Sequence, residues 1–353
     1  MADYAYNEIA KATFNCGFKS DDRTNTGTVS LPFQMSKYDL SGLRVPLLSM
    51  KKVNERAVRV ELEWYLRGES NIKFLQDNGV HIWDAWADEN LELGPVYGCQ
   101  WRKWEDTRAV AAEEVPELEK IGYQVVGVLG DERVVVQRFV DQLQDMVNTL
   151  RNTPDARRII LTAWNVGKLR DMKLPPCHMT FQVCSKVLPE EDRSIHGYNI
   201  GLTHLKYGYE SNYAEFVEYV NSHLQGRYEF ATHEAMDEFK IPRRGLFSGL
   251  YQRSVDVMVG MPFNISGYAI LTHFIAQITD HMAVEFTHFG GDVHIYSDHF
   301  EGYETQMARE PIGDNDPVVL FPDHYWEIDD FAFEEVVIEG YKHHPFIKFP
   351  VAV

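Results

Sequence analysis

Apolar positions recur at helical spacing over residues 2–17, where Tyr6, Ile9, Ala10 and Phe14 share a face and predict a first helix. After a polar turn from Asp21 to Gly27, the run Val29 to Leu40 predicts extended structure. Asn54 predicts the cap of a helix running to Leu66, with Gly68 as its stop. That helix would set Ala57, Glu61 and Trp64 on one face, so Glu61 points among apolar neighbours. Phe139, Leu143, Met146, Val147 and Leu150 predict an amphipathic helix, and Arg157 to Asn165 predicts a strand.

Pro175 and Pro176 remove two backbone donors and force an extended path, so a strand is expected from Cys177 through Met179 to Val187. Residues 188–247 are a polar excursion with a helix from Asn212 to Leu224, capped by an Asn-x-x-Glu pattern. Tyr251 to Asp256 predicts a strand. Met261 opens a long, largely buried helix to about His281, with Pro262 near its start. Glu285 to Tyr296 predicts another strand, broken at Gly290-Gly291. Residues 103–133, charged and Glu-rich at 113–119, read as a surface insertion.

The 353 residues, 44% of them hydrophobic, suffice for one elaborated domain over 1–353. Four cysteines without CxxC spacing predict neither a disulfide framework nor a zinc site, and fit a reducing, cytoplasmic setting. No signal peptide or membrane span is expected. A net charge of −19 argues against a nucleic-acid surface, which needs basic stripes to displace counterions. A small anion would instead need a local island of arginines.

Four features are candidates for chemistry. Cys177 stands at a strand mouth, a common place for reactive groups, although a lone cysteine is more often a small buried hydrophobe. Cys184, in the same strand, lacks that setting. Glu61 is either a carboxylate paired with Arg67 or Lys51, or a buried acid whose proton is held tightly. Trp83, Trp86 and Tyr97 in loop-like sequence are core plugs or a wall for a flat ring. Arg157-Arg158 is surface decoration or part of an anion site. His294, Asp292 and His299 together suggest a metal, but two histidines five apart across a strand end would diverge, so none is expected. Cys177 and His178, adjacent on a strand, would point to opposite faces and make no hydrolytic dyad.

Taken together the motifs resemble the thymidylate synthase family almost end to end. They are Asp22-Arg23-Thr24, Glu61-Leu-Glu-Trp64, Ile82-Trp83-Asp84, Gly94-Pro-Val-Tyr97-Gly98, Arg157-Arg158, Pro176-Cys177-His178, Gln252-Arg253-Ser254-x-Asp256, Gly260-x-Pro-Phe-Asn264, Gly291-Asp-x-His294-Ile-Tyr296 and the terminal Pro350-Val-Ala-Val353. The resemblance implies an α+β fold, a mixed β-sheet packed with helices, carrying an inserted subdomain at 188–247. It implies transfer of a one-carbon unit from 5,10-methylenetetrahydrofolate to carbon 5 of dUMP. Cys177 would add to carbon 6, with Arg253 favouring the thiolate. Glu61, Tyr97, His178 and Asn264 would complete the catalytic set. Asn264 offers a donor and an acceptor that match uracil and not cytosine. Arg23, Arg157, Arg158, Arg253 and Ser254 would hold the phosphate, the Arg157/Arg158 pair reaching over from the other subunit of a homodimer. Gln252, Asp256, His294 and Tyr296 would bind the rest of the nucleotide. Lys51, Ile82, Trp83, Asp256, Gly260, Phe263 and Ala352 would receive the folate.

Three features depart from the family's usual pattern: the 188–247 excursion, Glu63 where an apolar residue is usual, and Ser266-Gly267. Glu63 and the excursion lean toward a hydroxymethylase, in which water completes the reaction. Trp83 and the terminal tail lean toward methylation.

Overall fold

The structure is a computed structural model that describes residues 2–21, 26–223 and 230–351. Its strands are β1 (Phe18–Ser20), β2 (Thr28–Asp39), β3 (Trp104–Val110), β4 (Gln124–Val128), β5 (Val134–Val140), β6 (Ile160–Thr162), β7 (His178–Val187), β8 (Arg244–Asp256), β9 (Met282–Tyr296), β10 (Val318–Leu320) and β11 (Val337–Glu339). Its helices are α1 (Ala2–Cys16), α2 (Glu55–Leu66), α3 (Lys73–Asp77), α4 (Gly98–Arg102), α5 (Val115–Glu119) and α6 (Gln142–Asn152). They continue as α7 (Glu190–Tyr207), α8 (Asn212–His223), α9 (His233–Glu238), α10 (Gly260–Ile278) and α11 (Phe300–Met307).

The fold is α+β. A six-stranded sheet runs in the order β1-β2-β9-β8-β7-β6, with β8 and β9 parallel and the other neighbours antiparallel. Helix α10 is apolar nearly all round, which suits a helix enclosed on every side; it packs on β8 and β9 and meets α2. Trp64, Trp101, Phe181, Phe274 and Phe286 are buried in the core around it. The Asn54 side chain accepts the Ala57 N–H at 3.2 Å and Gly68 has φ +67°, so α2 starts and stops where its sequence says.

Some elements differ from the reading of the sequence. Phe139 belongs to β5 and is exposed; α6 begins later because the Asp141 side chain accepts the Gln144 N–H. Helix α8 is capped by Ser211, whose hydroxyl accepts the Ala214 N–H, while the Asn212 amide reaches the Phe239 carbonyl. Leu224, expected as its last apolar residue, lies outside the described residues. Strand β9 runs unbroken through Gly290 and Gly291. A Cβ at Gly291 would come within 2.8 Å of the Arg253 carbonyl oxygen, so the glycine serves a close approach of β8 and β9. Residues 104–140 hold the antiparallel sheet β3-β5-β4. Residues 190–238 hold α7, α8 and α9 over their own apolar cluster, which includes Ile200, Phe216, Met236 and Ile241.

These last helices join the end of β7 to the start of β8. The opposite ends of the same two strands, at His178 and at Arg253 to Asp256, border a large cavity. At about 3.3 Å per residue the insertion stands roughly 30 Å from that cavity along the strands.

Candidate active site

The lead-in to β7 places Cys177 at the cavity of about 640 Å³. Its backbone N–H donates to the Tyr97 hydroxyl at 2.9 Å, and its carbonyl accepts the Arg253 N–H at 2.8 Å. The prolines before it offer only carbonyls, and both turn to one guanidinium. Arg253 donates Nε to Pro176 O and Nη2 to Pro175 O, each at 2.9 Å. The same Nη2 lies 3.8 Å from Cys177 Sγ. A fixed cation beside a cysteine favours the thiolate.

Cys177 and His178 both border this cavity. The reason is local: Cys177 precedes the strand, and the register of β7 on β8 shifts between His178 and Thr180. The His178 ring stacks on Tyr97 at 4.1 Å, and its Nδ1 meets the Tyr268 hydroxyl at 2.7 Å. Burial, and after it the neighbouring His288, pushes His178 down to about 3, so the ring is neutral.

Glu61 reaches the cavity from α2. Its Oε1 accepts the Trp83 indole N–H at 2.7 Å, so its partner is neither Arg67 nor Lys51. Desolvation raises its pKa above the ordinary carboxylate value, opposed by the hydrogen bond from Trp83. Such a group holds its proton more tightly than an exposed carboxylate and can act as an acid or a base.

On the far wall, the Gln252 amide nitrogen donates to Asn264 Oδ1 and to Ser254 O, both at 3.0 Å. Asp256 accepts the N–H groups of Met258 and Val259 and so shapes the turn into α10, which brings Gly260, Phe263 and Asn264 to the cavity. His294 meets Asp292 at 2.9 Å; that contact, outweighing the opposing effect of burial, lowers the Asp292 pKa. Tyr296 lies edge-on to His294. His299, by contrast, is buried under the tail with Nε2 at 2.8 Å from Pro350 O, so the two histidines diverge. Among the described residues no cluster of His, Cys, Asp and Glu has the arrangement of a metal site.

Fifteen of the expected residues thus line one cavity: Glu61, Ile82, Trp83, Tyr97, Cys177, His178, Gln252, Arg253, Ser254, Asp256, Gly260, Phe263, Asn264, His294 and Tyr296. Lys51 is not with them. It is buried beside the cavity wall, donating to the Met258 carbonyl, with its ammonium 4.6 Å above the Phe349 ring. Burial lowers its pKa to about 7, against the pull of Asp256. Arg157 and Arg158 are exposed ahead of β6 and do not line this chain's cavity. Arg23 and Ala352 lie outside the described residues, although Val351 borders the cavity.

Glu63 points to the other side of α2. Its Oε2 accepts the Phe333 N–H at 2.8 Å and Oε1 lies 3.5 Å from Arg67, so it is a buried acceptor for backbone. Ser266 donates to Pro262 O at 2.7 Å and is likewise structural. The sequence reading passed over Ser20, Asp21, Thr28 and Val259, which also line the cavity. None carries a pattern of its own; Thr28 is there because β2 pairs with β9 opposite Tyr296. His288, buried behind Gln252, was also missed, since a lone histidine in a strand gives no sign of what it touches.

The family model for thymidylate synthase matches residues 4–198 and 221–353. A thymidylate synthase of Brachyspira hyodysenteriae (strain ATCC 49526 / WA1) is 36% identical over 348 residues, covering 99% of each chain. The stretch between the two matched segments falls within α7 and α8.

Proposed function

This chain belongs to the thymidylate synthase family and is a one-carbon transferase; from that premise we propose that it methylates dUMP to dTMP. The observation that carries the reading is the meeting of Cys177 Sγ, the Arg253 guanidinium, the Asn264 amide and the Glu61 carboxyl on one cavity. Carbon 5 of uracil is a weak nucleophile until something adds at carbon 6. A thiolate at Cys177 would form that bond, and the electron pair would move through the ring to carbon 5. Arg253 would hold the thiolate. Asn264 would donate to O4 and accept from N3–H, keeping the developing enolate in place. Glu61 would move protons at O4 and carbon 5, and His294 with Tyr296 would bind the 3′-hydroxyl.

The wall of Ile82, Trp83, Trp86, Val259 and Phe263 fits a flat reduced folate, and the Trp86 indole N–H is buried there without a protein partner. Methylenetetrahydrofolate, when bound, supplies the carbon and the reducing hydride. The same aromatic wall excludes water, which supports methylation over hydroxymethylation. Glu63 and the 188–247 insertion, the two features leaning toward water, both lie away from the cavity. A homodimer agrees with the open face of the large sheet, where the exposed Met35, Phe289 and Tyr251 stand side by side in register. In such a dimer Arg157 and Arg158 would complete the partner's phosphate site, together with Arg23. No helix among the described residues is long and apolar enough to cross a membrane.

The test is to incubate the protein with dUMP and methylenetetrahydrofolate, weigh the nucleotide product, and follow dihydrofolate by absorbance. A methylated product with stoichiometric dihydrofolate is expected. A hydroxymethyl product without dihydrofolate would overturn the reading.

A further inference from the structure

His288 lies on β9 behind the cavity wall, 1% exposed, and is not among the cavity's lining residues. Its Nε2 is 3.0 Å from Gln252 Oε1. Gln252, itself 2% exposed, spends its amide nitrogen on Ser254 O and Asn264 Oδ1. Only one assignment satisfies every contact. Ser254 O accepts, so the Gln252 nitrogen faces it and the Gln252 oxygen faces the histidine. His288 therefore carries its proton on Nε2. The Gln252 nitrogen then donates to Asn264, which must present its oxygen to Gln252 and leave its own N–H₂ toward the cavity.

We propose that His288 is a positioning residue for base selection, which fixes the Gln252 amide and, through it, the orientation of Asn264. The inference rests on the reading of Asn264 as the group that meets the pyrimidine. Uracil offers an O4 acceptor and an N3–H donor, and the fixed Asn264 is complementary to both. Cytosine offers the reverse and would need a flipped Asn264. A flipped Asn264 would set N–H₂ against the N–H₂ of Gln252, unless Gln252 flipped as well. A flipped Gln252 would meet the His288 N–H with a second donor. The histidine could yield only by moving its proton to Nδ1, which is buried and has no partner. A buried donor without a partner is strongly disfavoured. Burial also holds His288 down to about 4, so the ring stays neutral with its single proton in place. The Ser254 carbonyl opposes the same flip and remains after His288 is changed. Loss of the histidine thus weakens the selection without abolishing it.

The test compares kcat/KM for dUMP and for dCMP in the wild type, His288→Phe and His288→Gln. A glutamine amide nitrogen reaches the Nε position and keeps the donor; phenylalanine keeps the ring and removes it. The dUMP:dCMP ratio should fall about tenfold in the Phe variant, the scale of one unmade buried hydrogen bond. In the Gln variant, whose amide can turn either its N–H₂ or its oxygen to Gln252, the ratio should fall by a similar factor while kcat/KM for dUMP stays nearer wild type. A merely structural histidine would lower both substrates alike and leave the ratio unchanged, and that result in a folded Phe variant overturns the inference. Should His288→Phe not fold, His288→Gln carries the test alone, and a dUMP:dCMP ratio equal to that of the wild type overturns the inference. Wild-type protein that turns over neither nucleotide refutes the proposed function first, and this inference with it.

Discussion

Trp83 donates its indole N–H to Glu61 across 2.7 Å, so one member of the aromatic wall orients the carboxyl in the cavity. On the proposed function, this contact couples the ring-stacking side of the site to its proton-transfer side. Glu61→Gln should keep the Trp83 bond while losing the titrating group. We expect kcat/KM to fall by about 10²–10⁴. The folded protein holds the Glu61 proton more tightly than the unfolded chain does, so Glu61 favours folding most at low pH and less as pH rises past the ordinary carboxylate range. Glu61→Gln should therefore raise Tm by about 1–3 °C at pH 8 and by less at pH 4. A Tm difference that ignores pH would contradict the burial argument.

Cys177→Ser should abolish turnover, by roughly 10³-fold or more, while dUMP still binds. Calorimetry reads the binding. Mass spectrometry of protein incubated with 5-fluoro-dUMP and methylenetetrahydrofolate should show an adduct on the wild type alone. Loss of dUMP binding in the variant would make Cys177 a structural residue.

Asn264→Asp replaces the donor proposed to meet O4 with an acceptor when ionised, or a single movable proton when not. Preference should move from dUMP toward dCMP, by up to about 10⁴ in the ratio of kcat/KM. Steady-state assays with both nucleotides check this, and an unchanged ratio would remove Asn264 from base recognition.

Arg157→Glu should be inactive if its guanidinium serves the other subunit. Co-expressed with Cys177→Ser, it should regain about a quarter of wild-type activity, because half the dimers are mixed and each mixed dimer has one intact site of two. Purification with two different tags and an activity assay tests it. No recovery in isolated mixed dimers would place the Arg157 side chain in its own subunit's business or in none.

Glu63→Leu should leave the product of dUMP unchanged and destabilise the fold by about 1–3 kcal/mol, since it strips the buried Phe333 N–H of its acceptor. Chemical denaturation and product mass are the measurements. A change of product from one-carbon transfer would show that Glu63 acts on the site after all.

Much of this molecule was legible in the chain. Local rules sufficed for α2, because its cap, its apolar stripe and its stop glycine act within a few residues of one another. They sufficed too for the apolar α10 and for the proline-forced approach to Cys177. They failed at α7, whose 18 residues are polar on much of their surface and find their apolar partners in distant elements, among them α8, α9 and β9. They failed at Phe139, where a helical spacing ran by chance through the end of a strand.

The order of residue types along the chain determined the family, most of the elements and fifteen of the residues that line the cavity, because those are recorded in spacing and side-chain identity. Tertiary structure alone decided which groups meet. Glu61 and Trp83 are 22 residues apart, Cys177 and Arg253 are 76 apart, and Gln252 and His288 are 36 apart. A hydrogen bond depends on ångström-scale separation in space, which strand pairing and helix packing set and which no local pattern encodes. Only the folded molecule could therefore turn Glu63 away from the cavity, though it is two residues from Glu61, and put His288 behind Gln252.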